Sequence, residues 1–377
     1  MNKSISNIYD VTVKNSSIAD IEASAGTARE VLTFSSTDRQ SGMMMHTNYP
    51  EFLENDSNGI GKAFAENGYC TNRQTYGPGK VQVFFSHHNK TGKNMWYGVH
   101  VFNGNTGVAN VKILNWGFST GFSNAATPVY QYFDTTTQSQ NIAANGSWWV
   151  LQQQIPANAS GSYTPFWGVV TLEVSQPVII TTYAYKNISS LTGTEIPYPR
   201  GTAYSSDIAV LSGYGDGYHL KKTININVSD LKDSNGDYKD YWYYTGEHGA
   251  WGRNNGELTP IHIVGTNLIA TPESTNDTLN QLGNWSTLYD FTVNITNNTN
   301  TAKTVYGFIS GNTAQSYPVI KTDSDIKAWL ALTDKTIRWY QETIPANTTY
   351  TYKFSYMQAS YGAPATMHAW SLSSTLA

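Results

Sequence analysis

His87 and His88 stand side by side in the run "KVQVFFSHH", and His100 follows in "MWYGVHVFN". Imidazole is the usual side-chain ligand for zinc or copper. Adjacent residues of a strand point to opposite faces, so His87 and His88 cannot hold one ion together. His100, on a neighbouring strand, brings a second imidazole toward one of them. No carboxylate completes that pair, and a hydrogen-bonded structural pair of histidines explains the same residues. Asp230, Asp233 and Asp237 lie within "DLKDSNGDYKD", a spacing open to adventitious calcium. An EF-hand loop needs glycine at its sixth position and glutamate at its twelfth. Counted from Asp233, glycine comes fourth, as Gly236, and the twelfth residue is Tyr244. A hairpin turn on Asn235-Gly236 accounts for the stretch. No cofactor is therefore expected, with a structural calcium or zinc ion as the alternative.

Two further stretches look chemical. "SGYGDGYH" has closely spaced glycines but runs into a strand-like segment, where a phosphate cradle needs a helix N-terminus. Glu247-His248, with Arg253 and Glu257 nearby, is the most enzyme-like neighbourhood. A glycosidase needs two carboxylates flanking a cleft, and the sequence does not set Glu247 opposite another. No catalytic residue is assigned, and the chain is expected to be non-enzymatic. Trp251, Tyr243 and Glu247 in "YWYYTGEHGAWG", and Trp148 and Trp149 in "GSWWVLQQQ", supply material for a glycan platform. Such side chains join an apolar body to a polar tip. Trp148 and Trp149 are adjacent, so one of them faces the core.

The elements that must position these residues are strands. Alternating runs rich in β-branched and aromatic residues recur at 80–88, 95–103, 110–118, 177–185, 222–230, 289–297 and 350–358. Asn-Gly and Asp-Gly pairs, the chemistry of tight hairpins, punctuate the chain, as at Asn103-Gly104, Asn145-Gly146 and Asp216-Gly217. Only 59–68 and 324–334 look weakly helical. One phrase occurs twice: "IAANGSWWVLQQQ" from Ile142 and "IPANTTYTYKFSYMQ" from Ile344, each preceded by a strand, a polar turn and a strand. The expected fold class is all-β. The chain reads as two tandem β-sandwich (jelly-roll-like) domains, 30–195 and 196–377, from a diverged duplication, after an N-terminal extension 1–29.

Composition narrows the partners. Charged residues make up 13% of the 377 residues, aromatic residues another 13%, and the net charge is −4. So many aromatics exclude simple disorder, and so little charge leaves a surface of Asn, Ser, Thr, Gln and Tyr that repels its own copies weakly. The chain has no basic stripe, so nucleic acid lacks its electrostatic footprint. No apolar run approaches the ~18 residues of a membrane span. The single cysteine, Cys70, excludes an internal disulfide and reads as a small buried hydrophobe, or as one half of an intermolecular bridge. The first residues carry no apolar core of a signal peptide, so none is expected here.

Tyr49-Pro50-Glu51, His87-His88-Asn89, Ala144-Asn145-Gly146, Gly168-Val169-Val170 and Arg200-Gly201-Thr202 occur in an order that resembles a group of exported surface proteins. These are poorly characterised β-sandwich proteins of spore-forming Gram-positive bacteria of the Paenibacillus, Bacillus and Clostridium type. Some of them carry copper amine oxidase N-terminal or wall-anchoring modules. The resemblance implies a surface context and supplies no activity. Composition and resemblance together lead to the expectation of a structural, self-assembling protein of a spore, a cell surface or an intracellular crystal. Its partner is then itself, as an oligomer, fibre or lattice, and the N-terminal run 7–15 is expected to pair with a neighbour's sheet edge. A carbohydrate-binding surface protein, with cell-wall glycan as partner, is the first alternative, and a β-rich crystal protoxin the second.

Overall fold

The computed structural model describes residues 18–20, 36–48, 51–54, 68–158, 162–185, 212–232, 235–236, 238–245, 259–263, 278–281, 284–311, 316–328, 335–361 and 366–374. Strands dominate, as the alternating runs require. They begin with β1 (Ile18–Asp20), β2 (Ser36–Arg39), β3 (Met43–Thr47), β4 (Phe52–Glu54), β5 (Gly68–Tyr76), β6 (Gly79–Lys90), β7 (Met95–Phe102) and β8 (Ala109–Thr120). After a short helix, α1 (Thr127–Asp134), come β9 (Gln138–Ile142), β10 (Ser147–Ile155), β11 (Thr164–Val174), β12 (Val178–Tyr185) and β13 (Ser212–Asp216). Next are β14 (His219–Asn227), β15 (Tyr241–Thr245), β16 (Thr259–Ile263), β17 (Thr278–Gln281) and β18 (Leu288–Asn297). The last are β19 (Lys303–Gly311), β20 (Pro318–Lys321), β21 (Ile326–Ala328), β22 (Lys335–Ile344), β23 (Thr348–Gln358) and β24 (Thr366–Ser371).

The chain forms two compact units, and they are not the contiguous halves expected. Unit 1 comprises Met1–Gln40, His219–Leu258 and Leu282–Ala377, and unit 2 comprises Ser41–Tyr218 and Thr259–Gln281. Strand pairing explains the difference. β13 lies antiparallel to β3, which holds it in unit 2, whereas β2 lies antiparallel to β14, which carries the early chain into unit 1. The expected seam at 195/196 lies outside the described residues.

In unit 2 a nine-stranded sheet runs β17-β16-β13-β3-β6-β11-β8-β9, with β4 also on β6, beside a four-stranded sheet β10-β7-β12-β5. Val83 and Phe85 of β6, Tyr97 and Val99 of β7, and Phe166 and Val170 of β11 join one buried cluster. The Phe85 and Tyr97 rings, one from each sheet, lie 4.7 Å apart. Burying one such side chain contributes roughly 1.5–3 kcal/mol. Cys70 belongs to this core, as expected of a small hydrophobe. In unit 1 the sheets are β1-β22-β19-β24-β15 and β2-β14-β18-β23-β20-β21. β18 alternates strictly between half-buried and buried positions, so Phe291, Val293 and Ile295 enter the core and Asp290, Thr292 and Asn294 face outward.

The repeated phrase is a clasp, and it occurs three times. Asn297, at the end of β18, is fully buried. Its Nδ2 donates to the carbonyls of Thr301, Ile344 and Pro345 at 2.9, 2.9 and 3.1 Å. Its Oδ1 accepts from Thr299 N and Oγ1 at 3.1 and 2.7 Å. Asn103 repeats this at the end of β7, donating to Gly107, Ile142 and Ala143. Asn89 repeats it at the end of β6, donating to Lys93, Ile155 and Pro156. The sequence Ile-x-Ala-Asn thus presents two successive carbonyls to a buried asparagine of a hairpin turn. In two of the copies its own asparagine makes the tight turn, at φ 56° for Asn145 and 55° for Asn347, a left-handed conformation that asparagine tolerates. Around the clasp, β7–β8–β9–β10–β11 and β18–β19–β22–β23–β24 pair in the same antiparallel order.

The helical expectations fail where they fall on described residues. The 324–334 stretch gives the strand β21 over Ile326–Ala328, because Ile326, Lys327 and Ala328 pair with β20. The 59–67 stretch lies outside the described residues. α1 went unforeseen, since at eight residues it is too short for a sustained period. Pro128 stands at its first turn, and Val129, Tyr132 and Phe133 bury one face.

Candidate functional site

His87 and His88 do point to opposite faces. His87 is buried, and its Nε2 lies 3.0 Å from Tyr97 Oη. His88 stacks on Tyr163 at 4.5 Å, and burial holds its imidazole down at about 4. His100 lies in the other sheet of unit 2, edge-on to Trp149 at 4.6 Å. β6 and β7 belong to different sheets, so the pair predicted across neighbouring strands does not form. Among the described residues no cluster of three or more His, Cys, Asp or Glu is arranged to hold a metal. Asp230 accepts from Asn227 Nδ2 at 3.0 Å and Ser229 Oγ at 3.2 Å; Asp233 and Asp237 lie outside the described residues. A bridge from Lys232 to Tyr238 around Gly236 (φ 86°) makes the expected hairpin.

The aromatic platform is also redistributed. Tyr243 is fully buried, with its ring 5.6 Å from Phe291, so it is a core residue and presents no face to a sugar. Trp148 and Trp149 are half-buried and pack on the unit 2 core. The Trp149 ring lies over Gly98, where a Cβ would come within 2.7 Å of it. Trp251 and Glu247 lie outside the described residues.

What the structure builds instead is a groove on the outer face of the unit 1 six-stranded sheet. Register sets Asp38, Lys221, Asp290, Ser355 and Lys321 in one row across β2, β14, β18, β23 and β20. The next row holds Thr223, Thr292 and Lys353. The cavity over these rows measures about 520 Å³ and reaches Thr322 and Asp323 in the turn after β20. Asp290 is its fixed point. Its two carboxylate oxygens accept from His219 Nε2 at 2.7 Å and from Ser355 Oγ at 2.5 Å. Burial alone would raise its pKa, but these two hydrogen bonds and the charges of His219 and Lys221 hold it below the ordinary carboxylate value. Serine, aspartate and histidine therefore meet with the carboxylate in the middle, so no imidazole is placed to activate the hydroxyl. Farther along the same face Asn225, Asn294 and Thr351 bond across the strands at 2.9 and 2.8 Å, and Thr296 meets Thr349 at 3.0 Å. Sequence reasoning marked the outward alternation of these strands but not their neighbours, because β14 lies parallel to β18 across a long connection.

His368 of β24 carries a pH signal. It is fully buried beside Tyr356 at 4.7 Å and Phe291 at 5.3 Å, and neither ring nitrogen has a hydrogen-bond partner among the described residues. Burial lowers its pKa to about 3. The unfolded chain protonates this ring near 6.5, so its contribution to stability is complete above that pH and is lost as pH falls from 6.5 toward 3. Between pH 7 and 5 the loss is ~2 kcal/mol. His368→Phe is expected to shrink the fall in urea-unfolding free energy between those pH values by that amount. An unchanged fall would refute the assignment.

No family model matches the chain, and no curated protein matches it. Among solved structures there is a faint likeness to mannose 6-phosphate isomerase from Bacillus subtilis, at 8% identity, over 74% of this chain and 64% of that one, with a TM-score of 0.12. Oxalate decarboxylase from Lactobacillus farciminis gives 9% identity over 79% and 75%, with a TM-score of 0.12. Vicilin from tomato gives 8% over 79% and 73%, with a TM-score of 0.13. Such scores carry no argument, and the all-β class rests on the strand pairings themselves.

Proposed function

We propose that the protein is non-enzymatic and binds a glycan on the outer face of the unit 1 six-stranded sheet. The observation that carries this reading is the groove across β2, β14, β18, β23 and β20, lined by hydroxyl, carboxylate and ammonium groups. A sugar offers hydroxyls that both donate and accept, and Thr223, Thr292, Ser355 and Asp290 answer both needs on a rigid sheet. Asp290, held between two donors, keeps its charge and its position without a ligand.

Self-association into a structural assembly is the second reading. It is favoured by β1, an N-terminal segment that adds to the edge of β22. A segment that completes an edge within its own chain can complete the same edge in another copy. The matching strand order and the clasp support one module present twice, which suits either role. Glycan-array profiling of the full chain, with negative-stain microscopy of the same sample, tests both. Saturable binding to a saccharide family, lost in Asp290→Ala, is the expected result. Fibres or sheets with no saccharide bound would replace the first reading with the second.

A further inference from the structure

The outward face of β14, β18 and β23 continues beyond the groove. Lys221, Asp290 and Ser355 lie in one row of its floor, and Thr223, Thr292 and Lys353 lie in the next. Two further rows follow outside the cavity: Asn225, Asn294 and Thr351, then Asn227, Thr296 and Thr349. All six of these side chains are amides or hydroxyls, at exposed or half-buried positions. Outward residues recur at every second position, so successive rows are ~6.7 Å apart along the strands and the four rows span ~20 Å. The ladder is also held in one geometry. Asn294 Nδ2 donates to Asn225 Oδ1 at 2.9 Å, Thr351 Oγ1 donates to Asn294 Oδ1 at 2.8 Å, and Thr296 and Thr349 share a bond at 3.0 Å. A primary amide has two N–H donors and two lone pairs, and a hydroxyl has two lone pairs, so these bonds leave capacity for a ligand. Side chains ordered in advance lose little freedom when it binds.

We propose that the ligand of this face is an extended polysaccharide chain, which enters the groove at Asp290 and runs along the strands over the asparagine and threonine rows. The proposal rests on the glycan reading above and narrows it. A ribbon-like polysaccharide presents hydroxyls along its edges at regular steps, and a straight run of rows meets successive sugars with groups that both donate and accept. A ligand confined to the groove leaves the last two rows unused.

The experiment is calorimetric titration of the full chain with cello-oligosaccharides and chito-oligosaccharides, each from the disaccharide to the hexasaccharide. In at least one series the affinity is expected to rise about ten-fold or more with length. Thr351→Val and Asn294→Ala are each expected to weaken hexasaccharide binding about ten-fold, the worth of one hydrogen bond, and so to shrink the gain with length. Thr351→Val keeps the side-chain volume at an exposed position, and an unchanged urea midpoint confirms that the variant folds. Thr304→Val, which breaks a similar bond to Thr343 at 3.0 Å on the other sheet of unit 1, is expected to change nothing. Affinity that does not depend on length, or hexasaccharide binding untouched by both ladder variants, would overturn the extended chain. If that binding is still lost in Asp290→Ala, the broader glycan reading stands alone. No binding in either series also removes the extended chain, and the glycan array then decides the broader reading by itself.

Discussion

Asn297→Ala is expected to lower the unfolding free energy by about 3–5 kcal/mol, measured by urea denaturation with tryptophan fluorescence. Alanine removes the amide that serves the carbonyls of Thr301, Ile344 and Pro345, and the acceptor for two groups of Thr299. Each buried polar group left without a partner costs about 1–3 kcal/mol, and entering water recovers only part of it. Asn297→Asp separates this account from simple loss of volume. Aspartate fills the same space but turns the donor into a second acceptor facing three carbonyls, so it is expected to be the worse substitution. Asn300, exposed in the same turn, serves as the control, and Asn300→Ala is expected to stay within ±0.5 kcal/mol. A loss below 1 kcal/mol for Asn297→Ala would mean that the clasp does not hold the hairpins together.

Gly117→Ala is expected to cost unit 2 at least 3 kcal/mol. A Cβ on Gly117 would lie 1.8 Å from the carbonyl oxygen of Pro128 and 2.6 Å from its carbon. Both contacts are with backbone, so no rotamer change relieves them, and α1 must lift from the sheet. The helix is tied there by Trp167 Nε1 donating to Ala125 O at 3.0 Å, Asn115 Nδ2 to Tyr132 O at 2.9 Å, and Phe118 N to Gln131 Oε1 at 2.8 Å. Lifting it strands all three. Gly107→Ala, where the nearest atom would be 3.6 Å away on the Gln176 side chain, is expected to be nearly neutral. Equal stability of the two variants would show that the helix seat yields without cost.

Much of the secondary structure was legible because a strand's side-chain period is two, and a half-buried strand writes that period directly into its residues. The predicted runs at 80–88, 95–103, 110–118 and 289–297 fall within or at the edges of β6, β7, β8 and β18. The Asn235-Gly236 turn was legible for a similar local reason, since glycine accepts a positive φ at no steric cost. Tyr243 misled because its neighbours in "YWYYT" are all aromatic. Composition cannot tell which face of a strand meets the core, and the pairing of β15 with β24 decided that. The clasp was half visible. The phrase Ile-x-Ala-Asn shows in the sequence, but the asparagine it serves lies tens of residues earlier.

The sequence by itself determined the all-β class, the strand positions and the hairpin turns. These depend on residues within a few positions of one another. Only the tertiary structure decided that early residues join β14, that His87 and His100 belong to opposite sheets, and that Lys221, Asp290, Ser355 and Lys321 form one row. Those facts depend on which strands become neighbours. That choice is made by long-range burial and register, and a period of two reads the same whichever strand lies alongside.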